Sequence, residues 1–291
     1  MTKEKKLIAL IICLSVFLIG IGTMLYPIIS SRHAEKVQSQ IWTEYENVIE
    51  TIDNSEIETA LAAAQKYNQQ LFDGEIDRLD PKNNGYFEQL NLTNNGIMAY
   101  ISIPKIKVNL PVYYGSGDES LLTGAGHMPQ SSLPVGGENT HCVISAHTGM
   151  ATNPMFSDLE LLKEGDVFEI FVLGETLYYQ VYDINVVLPE DIEFVQAQEG
   201  KDLCTLVTCT PYGVNSHRLL VCGKRIAAPE NTEETAPMLS EEPVPGSVWL
   251  SEYYHSVIIG LCIAVGIVVL FASVFLIRFI LQKRKRVVHE K

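Results

Sequence analysis

Basic residues are scarce between the two ends of this chain. Residues 33–252 hold 11 lysines and arginines against 33 aspartates and glutamates. Proteins that bind nucleic acids present a basic surface to the phosphate backbone, so this charge balance argues against a nucleic-acid partner. The excess of carboxylates favours solubility, and it would attract cationic partners such as lysine amines.

The sequence also lacks the cysteine and histidine spacings of metal sites and of disulfide-rich domains. Its histidines include no His-x-x-x-His pair, and its six cysteines resemble neither a zinc ribbon nor a dense disulfide framework. We therefore expect no metal and no other cofactor. Cys142, Cys204 and Cys222 lie in apolar runs and are predicted to be small buried residues, with a disulfide among them left open.

Two long runs, 7–29 and 256–277, lack any charge. A helix needs about 20 apolar residues to cross a bilayer. Basic residues flank the outer end of each run, and such flanks stay in the cytoplasm. We predict two transmembrane helices in the cell membrane, with both termini cytoplasmic and the segment between them extracellular. A cleaved signal peptide is the alternative for the first run, although no clear A-x-A cleavage site follows it.

The remaining pattern divides the chain into segments. Helical spacing predicts one or two helices over 33–73. From residue 96, seven short runs rich in branched and aromatic residues predict the strands of a sandwich or closed barrel, with a short helix over 153–162. The predicted segments are a basic tail (1–6), a transmembrane helix (7–29), extracellular helices with a loop (30–95), a β-domain (96–226), an acidic proline-rich linker (227–255), a second transmembrane helix (256–280) and a basic tail (281–291).

Three residues of the β-domain have the chemistry that acyl transfer needs. Cys209 ends an apolar strand-like run just before a turn, where a thiol is accessible. His147 ends another such run, and Arg218 lies in the strand that follows the turn. A thiol can attack, an imidazole can move protons and a cation can stabilise an oxyanion. Each residue alone would more often be structural, and spacing alone cannot fix the register that would bring them together.

The run TLVTCTPYGVNSHRLLV (205–221) resembles the signature TLxTCTPYGVNTHRLLV of class C sortases, the pilin-assembling transpeptidases of Gram-positive bacteria. The stretches 96–116, 124–150 and 155–168 are also similar to that family, so the resemblance covers about residues 86–226. It implies a mainly β fold, an eight-stranded sortase-type barrel with N-terminal helices, flanked here by the two transmembrane helices. The C-terminal span fits the same class, because housekeeping sortases usually lack it.

The resemblance also implies a reaction. Cys209 would attack the threonine carbonyl of an LPxTG-like sorting signal, between Thr and Gly, on a pilin or surface protein. A lysine amine of the next pilin subunit would resolve the thioacyl enzyme. His147 would protonate the leaving amine and deprotonate the incoming one, while Arg218 would hold the substrate backbone and stabilise the oxyanion. The expected substrate-binding residues beside them are Ser145, Thr208 and Thr210.

The sequence departs from the family pattern in its lid. Class C sortases typically carry Asp-Pro followed by an aromatic residue that plugs the active site, whereas here lysine follows Asp80-Pro81. Asp80 is a candidate lid residue that would pair with Arg218, and an ordinary turn is the alternative. Cys222 and Thr148 stand where the family has arginine, and neither change removes a catalytic group.

Other functions stay open on the sequence alone. A sortase that attaches surface proteins to cell-wall peptidoglycan would share the fold and differ in the acceptor amine. A papain-like hydrolase also uses cysteine and histidine, but there the cysteine comes first in the chain, the reverse of His147 and Cys209. A non-catalytic binding module would make the three residues coincidental, and a Cys209→Ala variant distinguishes that case.

Overall fold

The computed structural model describes residues 3–93, 95–150, 152–191, 196–229, 244–262, 264–266 and 273. The chain forms two compact units, Met1–Trp249 and Leu250–Lys291. The first unit holds the β-domain and the helices that precede it. The second begins inside an apolar helix.

The helices of the described residues are α1 (Lys3–Thr51), α2 (Asn54–Phe72), α3 (Asp118–Thr123) and α4 (Val248–Gly266). Asp53 separates α1 from α2 and caps α2, because its carboxylate accepts a hydrogen bond from the Ser55 N–H at 2.8 Å. The N-terminal helices predicted over 33–73 are thus confirmed. The short helix predicted over 153–162 was wrong, since that stretch contains only the 3-10 turn Leu159–Leu161.

Eight strands form a closed barrel, which confirms the predicted mainly β architecture. They follow one another around the barrel in the order β1-β2-β3-β4-β7-β8-β6-β5, and β5 pairs with β1 to close it. The pairs β2–β3 and β4–β7 are parallel, and the others are antiparallel. The strands are β1 (Ile97–Ile103), β2 (Val108–Tyr114), β3 (Ala125–His127), β4 (Thr140–Ser145), β5 (Val167–Val172), β6 (Glu175–Val187), β7 (Asp202–Thr210) and β8 (His217–Ile226).

The C-terminal half of α1 packs against the barrel wall. The ring of Trp42 meets Tyr100 and Phe171 edge to face, with centroid distances of 4.8 and 4.9 Å. The hydroxyl of Tyr45 accepts a hydrogen bond from the Leu173 N–H at 3.1 Å. Edge-to-face aromatic pairs and buried aromatic area together stabilise such a contact. The helix is therefore attached firmly to β1 and β5.

The helix α2 is fixed by one buried amide. Asn68 donates to the Leu133 carbonyl at 3.1 Å and accepts from the Leu133 N–H at 2.7 Å. Leu133 lies in the connection from β3 to β4, so this pair of bonds holds α2 beside the strand that ends near His147. Buried backbone groups need such partners, because leaving them unpaired is costly.

Among the residues that the structure describes, α4 is the one helix long and apolar enough to cross a membrane. It begins at Val248, inside the stretch predicted as linker, and residues 230–243 of that linker lie outside the described part of the chain. The first predicted span, 7–29, belongs to α1, where Leu14, Phe17, Leu18 and Ile19 are 57–67% exposed. Two spans and cytoplasmic termini stay predictions. Most of the second span beyond residue 266 and the tail 281–291 also lie outside the described residues.

Candidate active site

Strands β4, β7 and β8 lie side by side and present two faces, because alternate residues of a strand point in opposite directions. One face contributes to the main core. The other carries a small separate cluster, which we call the outer apolar cluster: Val143, Val207, Leu220 and Cys222, with Met128 and Val187 packed against it. Cys209 and Arg218 lie two residues beyond Val207 and Leu220 along their strands. Both therefore belong to the face of the outer apolar cluster.

Cys209 and Arg218 are direct cross-strand partners in the antiparallel pair β7–β8. Residues opposite one another in such a pair have Cβ atoms about 5 Å apart, on the same face. The Arg218 guanidinium donates through Nη1 to the carbonyls of Asn215 and His217, at 3.3 and 3.1 Å. These bonds hold the cation at the start of β8, beside the thiol. Both side chains are partly exposed, so an incoming substrate can reach them.

His147 reaches the same place from the parallel neighbour β4. Ser145 pairs with Val207, and the next residue, Ala146, donates its N–H to the Val207 carbonyl at 3.2 Å. Extending this register by two residues places His147 level with Cys209. The imidazole is partly exposed. Alternation along β4 gives His147 the same face as Ser145 and Val143, which is the face of Cys209.

The three side chains thus converge at the ends of three adjacent strands. Among the described residues, no hydrogen bond joins any two of their side chains. Contacts between catalytic groups are often long without substrate and shorten when it binds, so the lack of a hydrogen bond between these side chains is compatible with catalysis. A thiol, an imidazole and a guanidinium at one strand edge can together attack a carbonyl, move a proton and stabilise an oxyanion.

A pocket of about 290 Å³ continues the same face away from the three residues. Its lining includes Leu220 and Cys222 of the outer apolar cluster, together with His141. The ring of His141 is fixed at both nitrogens, because Nδ1 lies 3.0 Å from the Gln196 carbonyl and Nε2 lies 2.7 Å from the Thr205 hydroxyl. Burial lowers the pKa of His141, against the opposing effect of the Gln196 carbonyl, and so favours the neutral ring. The rest of the lining mixes apolar residues such as Val187 with polar ones such as Asp183 and Asn185.

Comparisons with known proteins agree with this geometry. A sequence profile of the sortase domain matches residues 101–226. The crystal structure of sortase C1 from Streptococcus agalactiae is 41% identical to this chain, with a TM-score of 0.61, and the match covers 65% of this chain and 100% of that one. The chain belongs to the sortase family.

Two further sortases extend the comparison. Sortase C of Streptococcus pneumoniae, whose crystal structure is described in terms of catalysis and pilin substrate specificity, is 39% identical, with a TM-score of 0.57. That match covers 65% of this chain and 97% of the pneumococcal one. Sortase A of Streptococcus agalactiae is 34% identical over 121 residues, or 40% of this chain. The matched stretch spans about half of that relative, 48% of its length.

The candidate lid of this sortase does not pair with the arginine. The Asp80 carboxylate accepts hydrogen bonds from the side-chain amide of Asn83 at 2.8 and 3.0 Å and so stabilises its own turn. The ion pairs of the described residues include none between Asp80 and Arg218. Of the two alternatives for Asp80, the structure supports the ordinary turn and not the pairing with Arg218.

The nearest aromatic residue after Asp80, Tyr86, is buried against the barrel and hydrogen-bonded to it. Tyr86 is fully buried. His127 donates from Nε2 to the Ser132 carbonyl at 2.8 Å, which leaves Nδ1 to accept from the Tyr86 hydroxyl at 2.9 Å. The same hydroxyl accepts from the Gly115 N–H at 3.1 Å. Desolvation raises the pKa of Tyr86 well above its usual value, so it stays a neutral donor. Tyr86 thus anchors the segment and does not act as a plug.

The predicted substrate-binding residues have different surroundings. Thr208 is buried, and its hydroxyl donates to the Ala146 carbonyl at 2.8 Å. It shares the alternation of the core-facing residues of β7, opposite to Cys209, so a substrate contact at Thr208 is not supported. Ser145 lies on the site face, where its hydroxyl is 3.3 Å from the Gly126 carbonyl. Thr210 is partly exposed at the end of β7, opposite His217.

Sequence reasoning missed the contribution of His141 and Thr205. Both lie at alternating positions with His147 and Cys209 on their own strands, so the signal was present in the period of two. It could be read only after the parallel pairing of β4 with β7 was known, since that pairing sets Cys142 against Cys204 and Val143 against Thr205. The candidate catalytic residues themselves were predicted, and their assignment to one face follows from the register.

Proposed function

We propose that this chain is a membrane-anchored cysteine transpeptidase of class C, which joins pilin subunits through their sorting signals. The observation that carries the proposal is the cross-strand pair Cys209–Arg218, with His147 level with it on β4. This arrangement supports the roles of nucleophile, oxyanion-stabilising cation and acid–base group, respectively.

In the first half of the reaction, the Cys209 thiol gives its proton to His147, and the resulting thiolate attacks the carbonyl carbon of threonine in an LPxTG-like signal. Negative charge develops on the carbonyl oxygen, and Arg218 stabilises it with N–H donors that stay charged at any working pH. The bond to glycine then breaks, and His147 protonates the glycine amine as it leaves. The acyl group remains on Cys209 as a thioester.

In the second half, a lysine amine of another pilin subunit attacks the thioester. His147 accepts the proton that the amine loses, the carbon–sulfur bond breaks, and the Cys209 thiolate is restored. The result is an amide bond between two subunits. The same histidine serves as acid in one step and as base in the other, as the reversed direction of proton transfer requires.

Several observations favour class C over other sortases. The motif of residues 205–221 resembles that class, and the solved sortase C enzymes of two streptococci match this chain over nearly their whole length. One of them is described in terms of pilin substrate specificity. An apolar helix follows the barrel domain, which fits the layout expected for that class. Pilin subunits are therefore the proposed substrates and acceptors.

Membrane anchorage at both ends completes the proposal. The helix α4 has the length and composition of a span, and the exposed apolar side chains of α1, such as Phe17 and Ile19, would lose contact with water in a bilayer. Lysines before residue 7 and basic residues after residue 277 favour cytoplasmic termini. The barrel would then lie on the outer side of the cell membrane.

A sortase that attaches surface proteins to peptidoglycan is the second candidate. It is retained because this chain also matches an enzyme named sortase A, from Streptococcus agalactiae, with 34% identity over 121 residues. The two candidates use the same groups on the enzyme and differ in the acceptor amine. Offering a pilin lysine peptide and a cell-wall stem-peptide amine to the same thioacyl enzyme separates them.

The first test is formation of the thioacyl enzyme. Full-length protein in detergent is mixed with an LPxTG peptide, and its intact mass is measured beside that of Cys209→Ala. We expect an adduct that hydroxylamine releases, on the parent and on the matched control Cys142→Ala, whose thiol lies in the barrel core. An adduct on Cys209→Ala, or none on the parent across several sorting signals, would refute the proposal and favour a binding module.

A further inference from the structure

Just before α4, the chain returns to the barrel and binds a single buried carboxylate. The Ser247 hydroxyl donates to one oxygen of Asp158 at 2.7 Å. The N–H groups of Val248 and Trp249 donate to the other oxygen at 2.7 and 3.2 Å. The first N–H groups of a helix have no partner inside it. Asp158, only 4% exposed, therefore caps α4 from a distant part of the sequence.

The indole ring of Trp249 makes a second attachment. Its Nε1 donates to the Met150 carbonyl at 2.8 Å, and the residue is 6% exposed. Met150 and Asp158 belong to the loop that begins at His147, which we call the histidine loop (residues 147–158, described except for 151). We call Ser247–Trp249 the C-terminal dock. The dock thus holds the histidine loop at two points.

The bonds inside the histidine loop lead from Asp158 back to His147. The Phe156 N–H donates to the His147 carbonyl at 3.0 Å, and the Gly149 N–H donates to the Ser157 hydroxyl at 3.0 Å. Phe156 and Ser157 directly precede Asp158, so a shift of the carboxylate would move the groups that hold the start of the loop.

The histidine loop also borders the turn that follows Cys209. Gly149 has a φ of +78°, and a Cβ built on it would lie 3.8 Å from the ring of Tyr212. Tyr212 is three residues after Cys209. The loop that carries the imidazole therefore lies against the loop that follows the thiol, and the dock holds the same loop at Met150 and Asp158.

We propose that the C-terminal dock positions His147, so that the first turn of α4 holds the imidazole in register with Cys209. The inference rests on the proposed function, because it takes His147 as the acid–base group. Asp158 and Trp249 act through the loop and are positioning residues, not catalytic ones. A misplacement of about 1 Å can cost a catalytic group on the order of a hundredfold in rate, so a held loop matters for activity.

The first measurement asks whether the dock holds the loop. Hydrogen–deuterium exchange is followed by mass spectrometry on full-length protein in detergent, for the parent, Asp158→Ala and Trp249→Phe. We expect faster deuterium uptake across residues 147–158 in both variants, with unchanged uptake in β1 and β5. Parental protection of the histidine loop in Asp158→Ala would overturn the inference, because the dock would then not hold it.

The second measurement asks whether the held loop matters for chemistry. For Asp158→Asn and Trp249→Phe, we expect kcat for sorting-signal cleavage to fall about tenfold, KM to stay within twofold of the parent and the pH profile of kcat to shift. A role in stability alone would leave that profile where it is.

The chain offers a matched control for each variant. Asp166 accepts from the Lys163 N–H and from Lys105, both at 2.6 Å, away from the histidine loop. Trp42 is as buried as Trp249 but packs on β1 and β5. We expect Asp166→Asn and Trp42→Phe to keep parental kcat within twofold.

Failure of the inference and failure of the proposed function give different results. The dock variants could show faster exchange in the histidine loop and yet keep the parental kcat and pH profile, while Cys209→Ala is inactive. That result would refute the positioning role of the dock and leave the proposed transpeptidase function standing. Product formation by Cys209→Ala would overturn the proposed function, and with it the role assigned to His147.

Discussion

At the scale of single residues, the guanidinium of Arg218 has a geometry that another cation cannot reproduce. It donates to two carbonyls of its own turn while it lies opposite Cys209. Arginine carries five N–H donors in a planar fork, whereas lysine is a point charge on a flexible chain. The position therefore demands a particular arrangement of donors as well as a positive charge.

We expect Arg218→Lys to slow formation of the thioacyl enzyme about a hundredfold, because losing an oriented oxyanion donor costs about that much in rate. Stopped-flow mixing with a fluorogenic sorting peptide measures it. Arg225→Lys is the matched control, since Arg225 lies on the same strand but faces Asp202 at 4.0 Å and the ring of Tyr179. Equal rates for the two variants would contradict the role of Arg218.

We expect Asp80→Ala to leave the rate of thioacyl formation within twofold of the parent, because the Asp80 carboxylate bonds to Asn83 and does not restrain Arg218. The same peptide assay measures this. A tenfold faster variant would mean that Asp80 restrains the site after all.

The candidate catalytic residues could be predicted from the sequence, whereas hydrogen-bond partners far apart in the chain could not. The residue types and local positions of Cys209, His147 and Arg218 suggested acyl transfer before any register was known. Asp158 gave no such signal, because its partners lie about 90 residues away, beyond a stretch with no usable periodicity. Thr208 lies on the opposite face of the strand from Cys209, as its adjacency in the chain requires, and its contact with substrate stays a prediction.

At the scale of elements, strand prediction succeeded where the strands are long and failed where one is short. Seven apolar runs gave seven strands. The missed strand, β3, has three residues, and its central Gly126 leaves no room for a side chain, since a Cβ there would lie 2.3 Å from the Gly115 carbonyl oxygen. A glycine required by close backbone approach does not look like a strand residue. The helix expected over 153–162 did not form because the N–H groups of Ser157, Leu159 and Leu161 each bond to the carbonyl three residues earlier, which makes tight turns and not an α-helix.

We expect Asn68→Ala to lower the free energy of unfolding by about 2 kcal/mol, because it leaves the buried N–H of Leu133 without a partner, while the Leu133 carbonyl still accepts from the Val135 N–H at 2.8 Å. Thermal and urea unfolding followed by circular dichroism measure it. The adjacent Gln69→Ala is the control, since the Gln69 amide donates to the exposed Asp73 carboxylate at 2.8 Å, and its loss should change stability by under about 0.5 kcal/mol. Equal losses at both positions would show that α2 is not fixed through Leu133.

At the scale of the whole molecule, the acidic middle and basic ends favour one membrane topology for the proposed anchors. The rule that basic flanks stay inside applies to both apolar runs and gives one topology for the proposed anchors. This part of the organisation follows from composition, and it needs no knowledge of the barrel.

We expect a cysteine placed at the exposed position Lys66 to react with a membrane-impermeant maleimide in intact cells, and one at Lys285 to react only after permeabilisation. Cys209→Ala serves as the background for both variants. Mass spectrometry of the labelled protein measures the outcome. Labelling of Lys285→Cys in intact cells, or protection of Lys66→Cys, would contradict the proposed topology.

The continuous helix α1 has a mechanical consequence. It runs from Lys3 to Thr51, the apolar run within it ends at Ile29, and Ser31 is already buried. Under the proposed topology there is no slack between the lipid surface and the domain that carries Cys209. A domain that is joined to its anchor by a continuous helix, without a flexible linker, cannot move to different heights above the membrane. It moves with its anchor in two dimensions and can meet only those chain ends that are presented at its own height, which would make membrane-held precursors far better substrates than released ones.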